Sequence, residues 1–117
     1  MAEPIGGRLS EAFRQTYESA GVSQLDIAAA LDVDQPTVSK WARGMRRPPL
    51  DALPVTEQLA GVPKGTILRL AGYVDDSNVD VAAAILADPR LNDGDRLVLL
   101  DVYTGLRSRR SQAAARA

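Results

Sequence analysis

The chain has 117 residues, with 14 Lys and Arg against 15 Asp and Glu, so its formal charge is −1. That length makes one ordinary domain or a small domain with an appendage, and 45% hydrophobic with 25% charged residues is the balance of a soluble globular chain. Cysteine and histidine are both absent, which excludes disulfides, thiolate and imidazole metal sites, a Cys nucleophile and the usual general base.

Strand-type alternation is missing, and apolar residues recur at three and four instead. Leu9, Phe13, Tyr17 and Ala20 predict a first helix from about 8 to 20, ended by Gly21. Ser23 and Asp26 make a capping box that opens a second helix, Gln24 to Leu31, with Leu25, Ala28 and Leu31 as its inward face. Asp32-Val33 is a tight connection. Asp34 then caps a third helix that accepts Pro36 in its first turn, runs through Val38 and Trp41 and stops at Gly44. Pro48-Pro49 breaks the chain. A fourth helix begins at Leu50, or at Pro54 after an irregular turn, and ends near Gly61; Pro63 opens a fifth that Gly72 closes.

Asp75 to Asn78 is a polar break and the expected domain boundary, giving domains 1–74 and 75–117. Beyond it the pattern predicts a helix from Val79 to Ala87, stopped before Pro89, and a longer one from about Asp93 to Arg109 with Asn92 and Asp95 as its capping box. The Ala-rich residues from Ser111 onward read as a fraying end or disorder. Arg107, Arg109 and Arg110 read as a solvated helix end. No apolar run reaches the roughly 18 residues of a membrane helix, and no signal-peptide core is visible, so a cytoplasmic location is expected.

Charge is near zero only on average. Residues 1–74 balance eight basic against eight acidic side chains, residues 75–104 carry seven acids and two arginines, and the last thirteen residues carry four arginines and no acid. Within the balanced half, Lys40, Arg43, Arg46 and Arg47 lie together with no acid between Asp34 and Asp51. A solvated surface is the ordinary meaning of such a cluster. Its place on and after a pair of short helices favours a phosphate-binding edge.

Ser23 to Gly44 spaces two short helices around a three- or four-residue turn, the pattern of a helix-turn-helix whose second helix reads DNA. Ala28 is small where the two helices approach, and Leu31, Val33 and Val38 are apolar where the pair packs on the first helix. The opposite face of the third helix collects Gln35, Thr37, Ser39, Lys40 and Arg43, all able to bond bases or phosphates. Trp41 reads as a packing residue.

From about Leu9 to Tyr73 the sequence resembles the phage-repressor-like (Cro/cI, or Xre) helix-turn-helix proteins. The matching residues are Gln24, Ile27-Ala28, Leu31, Val33, Gln35, Thr37-Val38-Ser39, Trp41, Arg43-Gly44 and the Arg46-Arg47-Pro48 loop, in register and without gaps. Three features depart from the family pattern. Asp32 holds a turn position where Gly is usual, and Asp tolerates the left-handed conformation better than most residues. Tyr17 and Ala42 replace an Arg and a Glu that commonly pair, so both halves of that ion pair are missing and no charge is orphaned. Pro36 stands where a polar base-contacting side chain is frequent, and offers only apolar contact, such as with a thymine methyl.

The resemblance implies roles for the remaining positions. Gln24 bonds a phosphate and braces Gln35, Gln35 reads adenine, and Lys40 contacts guanine. Thr37 and Ser39 reach bases or phosphates, while Arg43, Arg46 and Arg47 hold phosphates. The whole reading is an all-α chain, a five-helix repressor-like domain with two additional C-terminal helices. Its function would be that of a dimeric repressor that occludes a promoter by binding a pseudo-palindromic double-stranded operator, without cofactor, metal, small-molecule ligand or membrane. Residues 79–107 are the expected dimer interface, through a stripe of Leu97, Leu100, Val102/Tyr103 and Leu106 with Val81, Ala84, Ile85 and Ala87 on the preceding helix. The alternative is an antitoxin-like or scaffold protein-interaction module that keeps the fold. An enzyme is the weakest rival, because a carboxylate pair or Ser-Lys dyad would have to serve without any Gly-rich phosphate loop.

Overall fold

The computed structural model describes residues 7–76 and 78–116, with side chains through Arg107. Every regular element among the described residues is helical: α1 Gly7–Ser19, α2 Gln24–Leu31, α3 Gln35–Ala42, α4 Ala52–Ala60, α5 Thr66–Leu70, α6 Val79–Ala87 and α7 Asp93–Arg116. Two compact units divide between Ala71 and Gly72.

In the first unit α1 is the central strut, packed against α3, α4 and α5, while α2 packs on α3 and α4. Its inward face is Leu9, Ala12, Phe13, Thr16 and Tyr17. Ala20 was expected on that face and is instead exposed past the helix end. Phe13 is completely buried, with its ring edge-on to Tyr17 at 5.3 Å and to Trp41 at 6.2 Å. Trp41 is therefore a packing residue, as its position suggested.

The two helices after α1 begin and end where their caps dictate. Ser23 Oγ accepts from the Asp26 N–H at 3.0 Å and Asp26 accepts from the Ser23 N–H at 3.2 Å, completing the capping box. Asp32 adopts φ +56°, ψ +45°, the left-handed turn that its substitution for Gly required. The inward face of α2 differs from expectation, however. Ile27 and Ala28 are buried, Leu31 is half-buried and Leu25 is 68% exposed. α2 packs on both α3 and α4, and in a helix of only two turns that packing, not the apolar period alone, decides which side is covered. Val33 is also more open than expected, at 37%.

α4 starts at Ala52, between the two expected positions, with Pro54 in its first turn where no intrahelical N–H is needed. α5 is shorter than expected. Pro63 lies in a turn before it, its carbonyl accepting from the N–H of Thr66. Glu57 on α4 holds this turn. The residue is 2% exposed, and its carboxylate accepts from the Gly65 N–H at 3.1 Å and the Ile67 N–H at 2.8 Å. A charged side chain here caps the neighbouring helix, a role its sequence position does not announce.

In the second unit α6 packs on α7. Asn92 and Asp95 cap α7 reciprocally, at 2.8 and 3.3 Å. Leu97 and Leu100 are buried, and Ala82 is the buried residue of α6; the expected Ala84 and Ala87 are exposed, while Val81 and Ile85 are half-buried. The proposed single stripe on α7 is in fact two faces. At about 100° per residue, Val98, Leu99, Val102 and Leu106 share a side roughly opposite Leu97 and Leu100, and all four are exposed. α7 continues to Arg116 rather than ending near Arg109. The side chains of Arg109, Arg110 and the Ala-rich tail lie outside the described residues.

Asn78, read as part of a polar break, is 1% exposed. Its Nδ2 donates to the Tyr73 carbonyl and to Thr104 Oγ1, each at 3.0 Å, and its Oδ1 accepts from the Asp75 N–H at 2.8 Å. One side chain thus ties the entry of α6 to the middle of α7.

Glu57→Ala should leave two buried N–H groups without partners and destabilise the first unit by about 2–4 kcal/mol. Glu57→Gln, which keeps one acceptor, should lose less. Urea unfolding measures both, and equal, near-zero losses would remove Glu57 from the frame.

Candidate nucleic-acid interface

α3 is divided along its length by the core. Val38, Trp41 and Ala42 are buried, Gln35, Thr37 and Ser39 are half-buried, and Pro36, Lys40 and Arg43 are exposed. The sequence-derived candidates therefore share the outer side of one helix. Asp34 starts that helix, its Oδ1 accepting from the Thr37 N–H at 3.0 Å and from the Thr37 hydroxyl. These bonds from Thr37, hydroxyl first and backbone second, together with Lys40 nearby, hold the Asp34 carboxyl below its ordinary value. The Thr37 hydroxyl proton is committed to Asp34, which leaves its oxygen the capacity to accept.

Beyond α3, Gly44 takes φ +76°, and the chain doubles back on the helix end. The Lys40 carbonyl accepts from the Met45 N–H at 3.0 Å and the Arg46 N–H at 3.3 Å. Fully buried Pro48 anchors the far side of the loop. The Arg46-Arg47 pair is thereby tethered to the helix that carries Lys40 and Arg43. Arg46 is exposed and Arg47 half-buried, and none of the four cations forms a salt bridge among the described residues. They remain available to anions.

Gln24 connects this edge to the core. Gln35 Nε2 donates to Gln24 Oε1 at 2.5 Å, and Gln24 Nε2 donates to the Tyr17 hydroxyl oxygen at 3.0 Å. The expected Gln24–Gln35 brace is present. Its continuation to Tyr17 is new, because the sequence places Tyr17 on the apolar stripe of α1 and at the position of an absent Arg, and neither reading announces a hydrogen bond.

A helix-turn-helix family model matches residues 13–54. That span takes in most of α1, all of α2 and α3, the basic loop and the first turn of α4. Two relatives from Mycobacterium tuberculosis, in strains CDC 1551 / Oshkosh and H37Rv, are each described as an uncharacterized HTH-type transcriptional regulator. Each is 30% identical over 91 residues, covering 77% of this chain. The matched region spans 65% of each relative's length. No solved structure matches the chain.

Within the helix-turn-helix the two helices are locked by local chemistry at each joint: the Ser23–Asp26 box, the left-handed Asp32 and the Asp34 cap. Among the described residues no cluster of three or more potential metal-ligating side chains occurs, and no helix is long and apolar enough to cross a membrane. The recognition side is built from amides, hydroxyls and cations. This set can bind and discriminate a polar anionic polymer, and it carries no paired acid and base.

Asp34 gives the helix-turn-helix a pH-dependent element. A carboxyl whose value is lowered on folding stabilises above its unfolded value, and that contribution is lost as pH falls through the folded value. Asp34→Asn, which caps without charge, should melt like the parent near neutrality. Below about pH 4 its melting temperature should fall less steeply with acid. Parallel acid limbs for the two proteins would exclude Asp34 as their source.

Proposed function

We propose that this chain is a sequence-specific double-stranded DNA-binding transcription regulator, working as a homodimer that represses by occluding a promoter. The observation that carries the reading is the outer side of α3, where Gln35, Lys40 and Arg43 stand beside a loop that holds Arg46 and Arg47 in a fixed place. Gln35 and Lys40 are the base readers, toward adenine and toward guanine O6/N7 respectively. Gln24, Arg43, Arg46 and Arg47 hold phosphates, Ser39 reaches a base or phosphate, and Pro36 offers an apolar contact to a thymine methyl. The relatives' description as transcriptional regulators supports the same reading.

The dimer is proposed through residues 79–107, with the exposed side of α7 at its centre. Val98, Leu99, Val102 and Leu106 are 42–61% exposed, and Val102, Gly105, Leu106 and Asp101 line a shallow cleft beside them. A second copy is the occupant because half-sites of a pseudo-palindrome, about 34 Å apart, need two copies of the reader. Burying the rest of four such side chains contributes on the order of 3–6 kcal/mol per subunit. That is comparable with the roughly 4–15 kcal/mol cost of association, so the dimer is expected to be reversible and reinforced by DNA. Val102→Asp should shift sedimentation toward monomer and leave the helical circular dichroism unchanged. A parent protein that stays monomeric at high concentration and on DNA would contradict the dimer.

Lys40→Ala should cost about 1–3 kcal/mol on the specific duplex and relax preference at one base pair, whereas Arg47→Ala should weaken specific and random duplexes alike. If four cations neutralise about four phosphates, log K should fall against log salt with a slope of roughly −3.6 per subunit. A salt-dependent gel shift reads both. Equal losses for the two variants on random DNA would remove Lys40 from base reading, and no duplex binding at all would favour a protein-interaction module.

A further inference from the structure

The outward side of α7 is apolar only in its middle. Val98 and Leu106 lie one turn before and after Val102, with Leu99 beside them, and all four are exposed. Asp95 and Arg109 stand seven residues before and after Val102 on the same helix. Seven residues are close to two full turns, so both helix positions fall within about 20° of Val102. Along its length the side is thus an acid, an apolar stretch and a base. Between Asp95 and Arg109 no other charge shares it, since Arg96, Asp101 and Arg107 sit about 100° or more away around the helix. Asp95 is exposed, and its Oδ2 accepts from the Asn92 N–H at 3.3 Å, which holds the carboxylate at the start of the helix. It takes part in no salt bridge among the described residues.

This order of charges distinguishes the two ways in which a second copy can lie on the side. A parallel pair in register sets Asp95 beside the partner's Asp95 and Arg109 beside the partner's Arg109, a like-charge contact at each end. An antiparallel pair turns about Val102. Val102 then meets the partner's Val102, Val98 meets the partner's Leu106, and Asp95 meets the partner's Arg109, each contact repeated by the two-fold axis. Exposed ion pairs contribute little to affinity, but like charges set opposite one another oppose association. Apolar burial therefore supplies the attraction, and the charged ends select the orientation.

We propose that two copies of α7 associate antiparallel about Val102, closed at each end by Asp95 of one copy and Arg109 of the other. The inference rests on the homodimer reading above and is independent of what the first unit binds. It gives an arginine of the basic helix end a partner, where composition alone read only a solvated terminus.

The chain has no cysteine, so introduced thiols report which positions meet. Val98→Cys and Leu106→Cys replace exposed side chains and are prepared as separate full-length proteins. A disulfide needs Cα atoms within about 7 Å, whereas eight residues of helix span about 12 Å. Under mild oxidation a mixture of the two variants should give the mixed cross-linked dimer, and each variant alone should stay largely uncross-linked. A parallel pair would give the reverse. Arg109→Glu provides a second readout. In the antiparallel pair it turns attraction into repulsion at both ends, and at low salt it should weaken self-association in sedimentation by about 2- to 30-fold, the worth of two exposed ion pairs. High salt should narrow that difference by screening. In a parallel pair the same substitution exchanges one like-charge contact for another. Self-cross-linking of either single variant without the mixed dimer, or unchanged association of Arg109→Glu, would overturn the antiparallel arrangement while the dimer stands. A parent chain that stays monomeric would overturn the dimer reading and this arrangement with it.

Discussion

The Phe13 ring lies where the geometry between α1 and α3 is decided. It is fully buried between Tyr17 on its own helix and Trp41 on α3, edge-on to both. Edge-to-face rings are attractive only within a narrow range of distance and tilt, so α3 is held at a set angle to α1. From that angle follow the outward direction of Gln35, Lys40 and Arg43 and the placing of the Tyr17 hydroxyl beneath Gln24. Loosening this wedge would move the readout face and its hydrogen-bonded brace together.

The electrostatics follow from place and not from total charge. A chain at −1 nonetheless puts four cations, none in a salt bridge among the described residues, on one helix and the loop tied to its end, while residues 75–104 carry seven acids against two arginines. On the proposed reading, four cations neutralising about four phosphates would keep the salt-dependent part of the affinity modest. Selectivity would then depend on the amides of the outer side of α3. With no histidine in the chain, the resolved pH-sensitive element of the helix-turn-helix is Asp34, whose carboxyl the Thr37 bonds hold below its ordinary value.

The stretch from Ser23 to Gly44 was readable because local rules govern it. A capping box, a left-handed Asp, a second cap with Pro behind it and a closing Gly each act within a few residues, and the helix bounds follow from them. Positions set by distant partners were not readable in the same way. Leu25 and Ile27 are apolar residues two positions apart on a two-turn helix, and only packing on α3 and α4 selects Ile27 for the core. Glu57 looks like any helical acid until Gly65 and Ile67 turn their N–H groups toward it. Asn78 sits in a run that reads as a linker, yet its partner Thr104 is 26 residues away. On α7 apolar residues occupy two opposite sides, so periodicity could not separate the face that packs on α6 from the exposed one. At the candidate site, residue types and spacing pointed to the outer side of α3, where the structure places those residues, and to the Gln24–Gln35 bond, which is present. The Tyr17 link needed coordinates, because a tyrosine on an inward stripe reads as core.

Selection of bound sequences from a random duplex library by the full chain tests the central claim most directly. The account predicts enrichment of a two-fold-symmetric site, its half-site centres about one helical turn apart, with an adenine and a guanine at fixed positions in each half. Recovery of sequences with no common motif, at salt low enough for the four cations to bind, would contradict it.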